Sequence, residues 1–175
     1  MRCLLDKVTA RRILEALLKL DEARELTEDE LFTLDFHGRA GSEGRRLFIA
    51  PPTENVLKTL EDLPRYAAVI HIFRNRVEIA RPTHYFKRWA RRLRDYGFTR
   101  EDAAILALGT FSTNEEGDIL GMDFVATFDQ PMIHQWTMQC SAIQNHLTAM
   151  QENLPDPYRQ AALPRVQLPQ HIIAK

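Results

Sequence analysis

Four acidic residues stand where this chain changes from one kind of local pattern to another. Asp6 follows the apolar run Cys3-Leu4-Leu5, and Glu54 follows Leu47-Phe48-Ile49-Ala50 and two prolines. Asp102 lies in the opening turn of a helix that starts after Thr99, and Asp129 follows Val125-Ala126. In a parallel α/β sheet, strand ends and the helix starts that follow them gather at one rim, so these four side chains can share it. Carboxylates that converge without basic partners suit a hard divalent cation, magnesium or manganese, whose preferred ligands are oxygens. Such an ion can activate a water for in-line attack on a phosphodiester and stabilise the leaving oxygen. Thr127, two residues before Asp129, can orient a carboxylate or a water through its hydroxyl. Asp6, Glu54, Asp102, Asp129 and Thr127 are therefore the candidate catalytic residues, with Asp6, Asp102 and Asp129 the candidate metal ligands.

Each acid also has a structural role open to it. Asp102, three residues after Thr99, can be the far partner of a capping box that stabilises the helix start by about 1 kcal/mol. Asp129 can start a turn before Gln130-Pro131, and Glu54 suits the positive end of a helix. Asp6 is harder to assign to structure alone, because an acid directly after a buried strand is costly unless something satisfies it.

Charge is sorted along the chain although the net charge is only −1. The stretch from Arg74 to Arg100 is strongly basic, and the stretch from Glu101 to Glu152 carries acids without one Lys or Arg. Within the basic stretch, Lys87, Arg88, Arg91, Arg92 and Arg94 fall away from the apolar face Phe86, Trp89 and Leu93. They are candidate contacts to nucleic-acid phosphates, a sequence-blind and salt-dependent kind of binding. The same residues also fit an ordinary solvated helix face.

At 175 residues, 45% of them apolar, the chain can bury a core without staples. No apolar run approaches the length of a membrane span, so no membrane partner is expected. Cys3 and Cys140 match no disulfide or metal spacing, which points to reduced thiols and a cytoplasmic setting.

The elements that must position these residues follow from pattern. Arg2–Leu5 reads as a strand, followed by a helix with Thr9 as cap and Ile13, Leu14, Leu17 and Leu18 on one face. Thr27 and Glu30 form a capping box for a helix to about Phe36, with Leu31 and Leu34 facing inward. His37–Gly44 reads as a connector. Leu47–Ala50 is a strand, and Thr53 is placed to cap a helix from Glu54 to about Asp62. Ala67–Phe73 fits a strand or a buried helix equally, and Val77–Ala80 fits a strand. Thr83 and Thr99 are placed to cap two further helices, the second apolar on every side, with Gly97 between them. Asn114–Asp118 is a turn, Phe124–Phe128 a strand, and Met138–Met150 a helix. Leu154–Lys175, with its prolines, reads as a tail or arm. Alternating strands and helices predict a three-layer α/β/α fold around a mainly parallel sheet.

Three of these pieces carry a family likeness: Leu5-Asp6, Thr99-Arg100-Glu101-Asp102-Ala103-Ala104-Ile105-Leu106-Ala107, and Ala126-Thr127-Phe128-Asp129. Val77–Ala80 and the run Arg92–Phe98, with its Tyr96-Gly97, add to it. Together they resemble the PIN-domain family of metal-dependent nucleases over roughly residues 2–134, leaving 135–175 as a C-terminal helical, Pro-rich extension. The resemblance implies a magnesium- or manganese-dependent ribonuclease acting on single-stranded RNA. It also suggests the toxin half of a toxin–antitoxin pair, with an antitoxin or other protein partner and a homodimeric state. The apolar stretch Met132–Met150 points to a homodimer too. Glu54 lies near the place of the family's second acid, whereas an alignment on Pro51-Pro52 alone puts Lys58 there or leaves Glu61, one turn beyond Lys58, as a substitute. The chain departs from the family after its first Asp, where Lys7-Val8 replaces a small hydroxyl residue and Asn or Ser. The Lys7 ammonium either competes with a cation for Asp6 or points away. The alternative is a catalytically impaired PIN-like module that binds RNA or protein.

Overall fold

A computed structural model describes residues 1–41 and 44–173. In chain order its elements are β1 (Arg2–Leu5), α1 (Lys7–Asp21), α2 (Glu28–Gly38), β2 (Arg46–Ile49), α3 (Pro51–Glu61), α4 (Pro64–Arg74), β3 (Val77–Ile79), β4 (Arg81–Pro82), α5 (Phe86–Arg94), α6 (Arg100–Thr110), β5 (Ser112–Thr113), β6 (Ile119–Leu120), β7 (Phe124–Ala126), α7 (Gln130–Gln151), a 3-10 turn (Tyr158–Gln160), β8 (Arg165–Gln167) and α8 (Pro169–Ile173).

Five strands form one parallel sheet in the order β3-β2-β1-β7-β8. Its strands are apolar on both faces, as a sheet covered by helices on both sides requires. Leu4, Phe48, Val125 and Val166 pack with Trp89, Leu93, Leu106, Trp136 and Ile143 of α5, α6 and α7. Their neighbours Cys3, Leu5, Leu47, Ile49, Phe124 and Ala126 pack on the other side with Ile13, Phe36, Ile70, Phe73 and Ile172. The period-two alternation thus divides one chain between two cores, and the fold is a three-layer α/β/α sandwich. A small antiparallel sheet, β4-β5-β6, sits apart from the main one.

Register brings the strand ends level. Leu5 lies beside Ile49 on one side and Ala126 on the other. From β1 the chain builds outward through β2 and β3, then returns to lay β7 and β8 on the opposite flank. The β1–β7 boundary is therefore the topological switch point of the sheet, the place where α/β folds leave a crevice at the carboxyl ends of the strands.

Several local features differ from the sequence expectation, each for a physical reason. Ala67–Phe73 is helical, within α4, because Pro64 starts it at the first position and Val69, Ile70 and Phe73 fall on a buried face. Thr9 does not cap α1; Asp6 does, three residues earlier. Pro51 likewise starts α3 ahead of Thr53, with Ala50 as an N-cap lacking a side-chain bond. Thr83 does not cap α5; its hydroxyl donates to the Phe111 carbonyl (3.2 Å) and Tyr85 takes the N-cap position. The Thr27–Glu30 capping box forms, but Leu31 is exposed, and Thr33, Phe36 and His37 are the buried residues of α2. Within the His37–Gly44 connector, Ser42 and Glu43 lie outside the described residues.

The largest difference is at the C-terminal end. The stretch read from its prolines as an arm supplies β8, the fifth strand, and α7 runs through the position 134 boundary as one helix. Trp136, Ile143 and Leu147 are spent on the core, which leaves Met138 as the exposed large apolar side chain of the stretch expected to pair two copies. Among the described residues no helix is long and apolar enough to cross a membrane.

Candidate active site

Asp6 lies at the switch point. Its position after β1 and before α1 makes it an N-cap: Oδ1 accepts the Thr9 N–H at 2.6 Å. Oδ2 accepts the hydroxyl of Thr127 at 2.5 Å, reaching across from the end of β7. The Thr127 oxygen in turn accepts the N–H of Asp129 at 3.0 Å. The Ala126 carbonyl closes the group by accepting both the Asp6 N–H (3.1 Å) and the Thr9 hydroxyl (2.9 Å). Two strand ends and one helix start are thereby tied together around a single carboxylate.

That carboxylate is only 6% exposed, and no Lys, Arg or His forms an ion pair with it among the described residues. Burial raises its pKa; the hydrogen bonds from Thr127 and Thr9 oppose the rise, and the nearby charge of Asp129 adds to it. An uncompensated buried charge of this kind is where a cation gains most.

Asp129 caps α7, with Oδ1 accepting the Met132 N–H at 2.9 Å. The Phe128 ring beside it is covered by the Arg12 guanidinium of α1, 4.0 Å from the ring centre, which fixes the chain as it leaves β7. Asp102 lies in the first turn of α6 and is half-buried. The Thr99 hydroxyl donates to its Oδ2 at 2.7 Å and accepts its N–H at 3.1 Å, so Thr99 caps α6, but the carboxylate binds the hydroxyl and not the Thr99 N–H, and the reciprocal bond of a capping box does not form. Lys7 points away from Asp6: its ammonium pairs with Glu101, and this contact sets the first turn of α6 beside the first turn of α1.

The structure therefore unites Asp6, Thr127 and Asp129 and sets Asp102 on the adjoining helix start. Glu54 takes another direction. It is buried in the first turn of α3, pairs with Lys58 at 2.7 Å, and lines a cavity beside β2 and β3. Among the described residues, no group of three or more His, Cys, Asp or Glu side chains is gathered as a ready-made cation cage. Thr9 is the site residue that the sequence reading placed wrongly. The Asp-x-x-Thr spacing across a strand-to-helix junction is the signal that finds it, since it is the spacing of an N-cap and its third helical residue.

The basic residues Lys87, Arg88, Arg91, Arg92 and Arg94 are all exposed along α5, opposite the buried Trp89 and Leu93. Arg92 pairs with Asp95 at 3.1 Å, and the other four make no ion pair among the described residues. Helix α5 joins α6 through the short connection 95–99. Gly97 turns that connection with a φ of +88°, and a Cβ there would meet Gln135 Nε2 at 2.8 Å. The same Gln135 amide donates to the Tyr96 carbonyl at 2.8 Å. Helices α5 and α6 pack against each other across this connection. In comparisons with known proteins, no family model and no curated protein matches this chain.

Proposed function

We propose that this chain is a PIN-like, divalent-metal-dependent ribonuclease that hydrolyses phosphodiester bonds of single-stranded RNA. The observation that carries the reading is the buried carboxylate of Asp6 at the switch point, with no ion-pair partner among the described residues and hydrogen-bonded through Thr127 to the backbone of Asp129. The available donors are carboxylate oxygens, the chemistry of a magnesium or manganese site. Asp6, Asp129 and Asp102 would hold the ion, and Glu54 would need to leave Lys58 to join them. When bound, such an ion supplies Lewis acidity and a more acidic water. The chain's own contribution is orientation: Thr9 and Thr127 fix the Asp6 carboxylate from two sides. Along α5, Lys87, Arg88, Arg91, Arg92 and Arg94 would hold the RNA backbone by its phosphates.

The test is cleavage of an end-labelled single-stranded RNA with magnesium or manganese, and with chelator. The expected result is cleavage by the native chain with the ion, and loss in Asp6→Asn, Asp102→Asn and Asp129→Asn. Robust cleavage by the Asp6→Asn and Asp129→Asn variants would remove these roles.

A second reading is favoured by the state of the acids. Asp102 is taken by Thr99 and Glu54 by Lys58, as a module that binds RNA or protein without cleaving would have them. That module would bind RNA without a divalent requirement and leave it intact under single-turnover conditions. An antitoxin-type partner, a cytoplasmic setting and a homodimer belong to the same proposal. A clean monomer mass by light scattering at high concentration would remove the homodimer.

A further inference from the structure

The main sheet has an open edge at β3, which pairs with β2 alone. The Ala80 N–H donates to the Ile49 carbonyl at 2.9 Å, and in a parallel ladder that alternation turns the N–H and C=O groups of Val77 and Ile79 outward. Among the described residues these outward groups have no hydrogen-bond partner. An edge of this kind is normally blunted by a charge, a proline or a covering segment, because it templates strand addition. Here it is bordered by a cavity of about 350 Å³. Ile49, Val77 and Ile79 provide apolar wall, while Arg74 and the β5–β6 turn at Asn114, Glu115 and Glu116 form the sides.

The charge of this groove says what fits it. Its ionisable lining is Glu54, Glu78, Glu115 and Glu116 against Arg74. Glu54, Glu78 and Glu115 are paired with Lys58, Arg46 and Arg81. Glu116 forms no ion pair among the described residues, although the Arg46 guanidinium, paired with Glu78, lies near enough to feel its charge; its carboxylate accepts the Asn114 side-chain amide at 3.0 Å. A second copy of this chain would bring the same acids face to face, so like charge disfavours pairing of β3 with itself. We propose that the outer edge of β3 accepts an extended, basic segment of a partner polypeptide as a sixth strand of the main sheet. Backbone bonds to Val77 and Ile79 hold it, and a Lys or Arg of the segment meets Glu116.

The experiment uses the full-length chain labelled with nitrogen-15. Its probes are two capped pentapeptides, Lys-Val-Lys-Val-Lys and Glu-Val-Glu-Val-Glu. The expected result is saturable shifts of the Val77 and Ile79 amides with the lysine peptide, and amide exchange there slowed about tenfold or more. Glu116→Lys, a substitution in an exposed turn, weakens that binding about tenfold while leaving the circular dichroism spectrum unchanged. The glutamate peptide shifts neither amide. The proposal is overturned by equal binding of the two peptides, by shifts confined to the Asp6 rim or the α5 face, or by no shift at either amide.

Discussion

Replacing Asp6 by Asn separates what this carboxylate does for the fold from what it does for chemistry. The Asn oxygen still accepts the Thr9 N–H, and Asn caps helices as well as Asp does, so α1 keeps its start. The Thr127 hydroxyl must turn to accept from the new amide, which costs part of one hydrogen bond. Against that, the substitution removes a charge that is 6% exposed, has no ion-pair partner among the described residues and stands near Asp129. Burial outweighs the hydrogen bonds in raising the pKa of Asp6, so folding disfavours its ionised form relative to the unfolded chain, and Asp6→Asn should be the more stable protein at pH 7. For a chain of this size each 1 kcal/mol of that difference shows as about 2–4 °C in Tm. Asp6→Ala, which loses the cap and leaves the Thr127 hydroxyl unpaired, loses about 1–3 kcal/mol.

The pH dependence follows from the sign of the shift. A carboxyl whose pKa is higher folded than unfolded lends stability that is complete below the ordinary carboxylate range and lost as pH rises through the folded value. The advantage of the Asn variant should therefore grow from pH 4 to pH 7. Urea unfolding of both proteins across that range, in chelator, measures it. An Asn variant less stable than the native chain by more than about 1 kcal/mol at pH 7, with a gap that widens with pH, would refute the reasoning. It would mean that the folded state favours the charge without any cation. Adding magnesium completes the test. An ion bound only by the native fold at a hundred times its Kd stabilises by about 2.7 kcal/mol, and Asp6→Asn should lose most of that gain.

Other consequences can be checked separately. His37 is buried, stacked on Phe73, donates from Nε2 to the Phe73 carbonyl, and has its pKa pushed down to about 4 by burial. The neutral imidazole therefore stabilises the fold fully above its ordinary range near 6.5 and progressively less as pH falls through about 4. His37→Gln should flatten that limb of the stability profile by about 2–3 kcal/mol, read by urea unfolding. Replacing both Arg91 and Arg94 by Gln should weaken single-stranded RNA binding and lower the slope of log K against log salt by about 0.7 for each lost phosphate contact, measured by fluorescence anisotropy. Burial pushes the Cys3 thiol up to about 12, whereas Cys140 is half-buried on α7, so a thiol reagent at pH 8 should modify Cys140 in the native protein and Cys3 only on unfolding. Ending the chain after Ala162 should abolish cooperative unfolding, because it removes β8 and uncovers the β7 edge.

The layers were legible in the sequence where a single physical signal governed. Apolar runs marked β1 and β2, the Thr27–Glu30 box marked α2, and Thr99 with its acids marked α6. Legibility failed where two signals competed or where a partner was remote. Thr9, Thr53 and Thr83 have the chemistry of caps, but an upstream Asp or Pro claimed two helix starts and the Phe111 carbonyl claimed the third threonine. Strand β8 is three residues among prolines, and only its pairing with β7 makes it a strand. At the site, the positions of Asp6, Asp102 and Asp129 could be read from element ends. The hydrogen bond from Thr127 across to Asp6 links residues 121 apart, and local pattern does not show it. Glu54 falls in the first turn of α3, and Lys58, four residues on, holds it in the i,i+4 pairing that helix spacing offers.

The helix starts around the rim make the choice of residue at position 6 informative. α1 and α7 begin at carboxylates, while α6 is capped by a neutral Thr99 hydroxyl. Capping alone is served equally by Ser, Asn or Asp, and by Thr nearly so. The positive end of a helix favours a carboxylate by about 0.3–1 kcal/mol on the surface, up to about 2 kcal/mol when partly buried. At Asp129 and Asp102, both half-buried, that term and solvent together make an acid inexpensive. At Asp6 burial works against the charge and outweighs the hydrogen bonds that the carboxylate accepts. A chain selected only for folding gains nothing from Asp over Asn at such a position. A bound cation or an exchanged proton is what the proposed function asks of a charge at Asp6, and the comparison of Asp6→Asn with the native chain, with and without magnesium, decides between those two uses and simple capping.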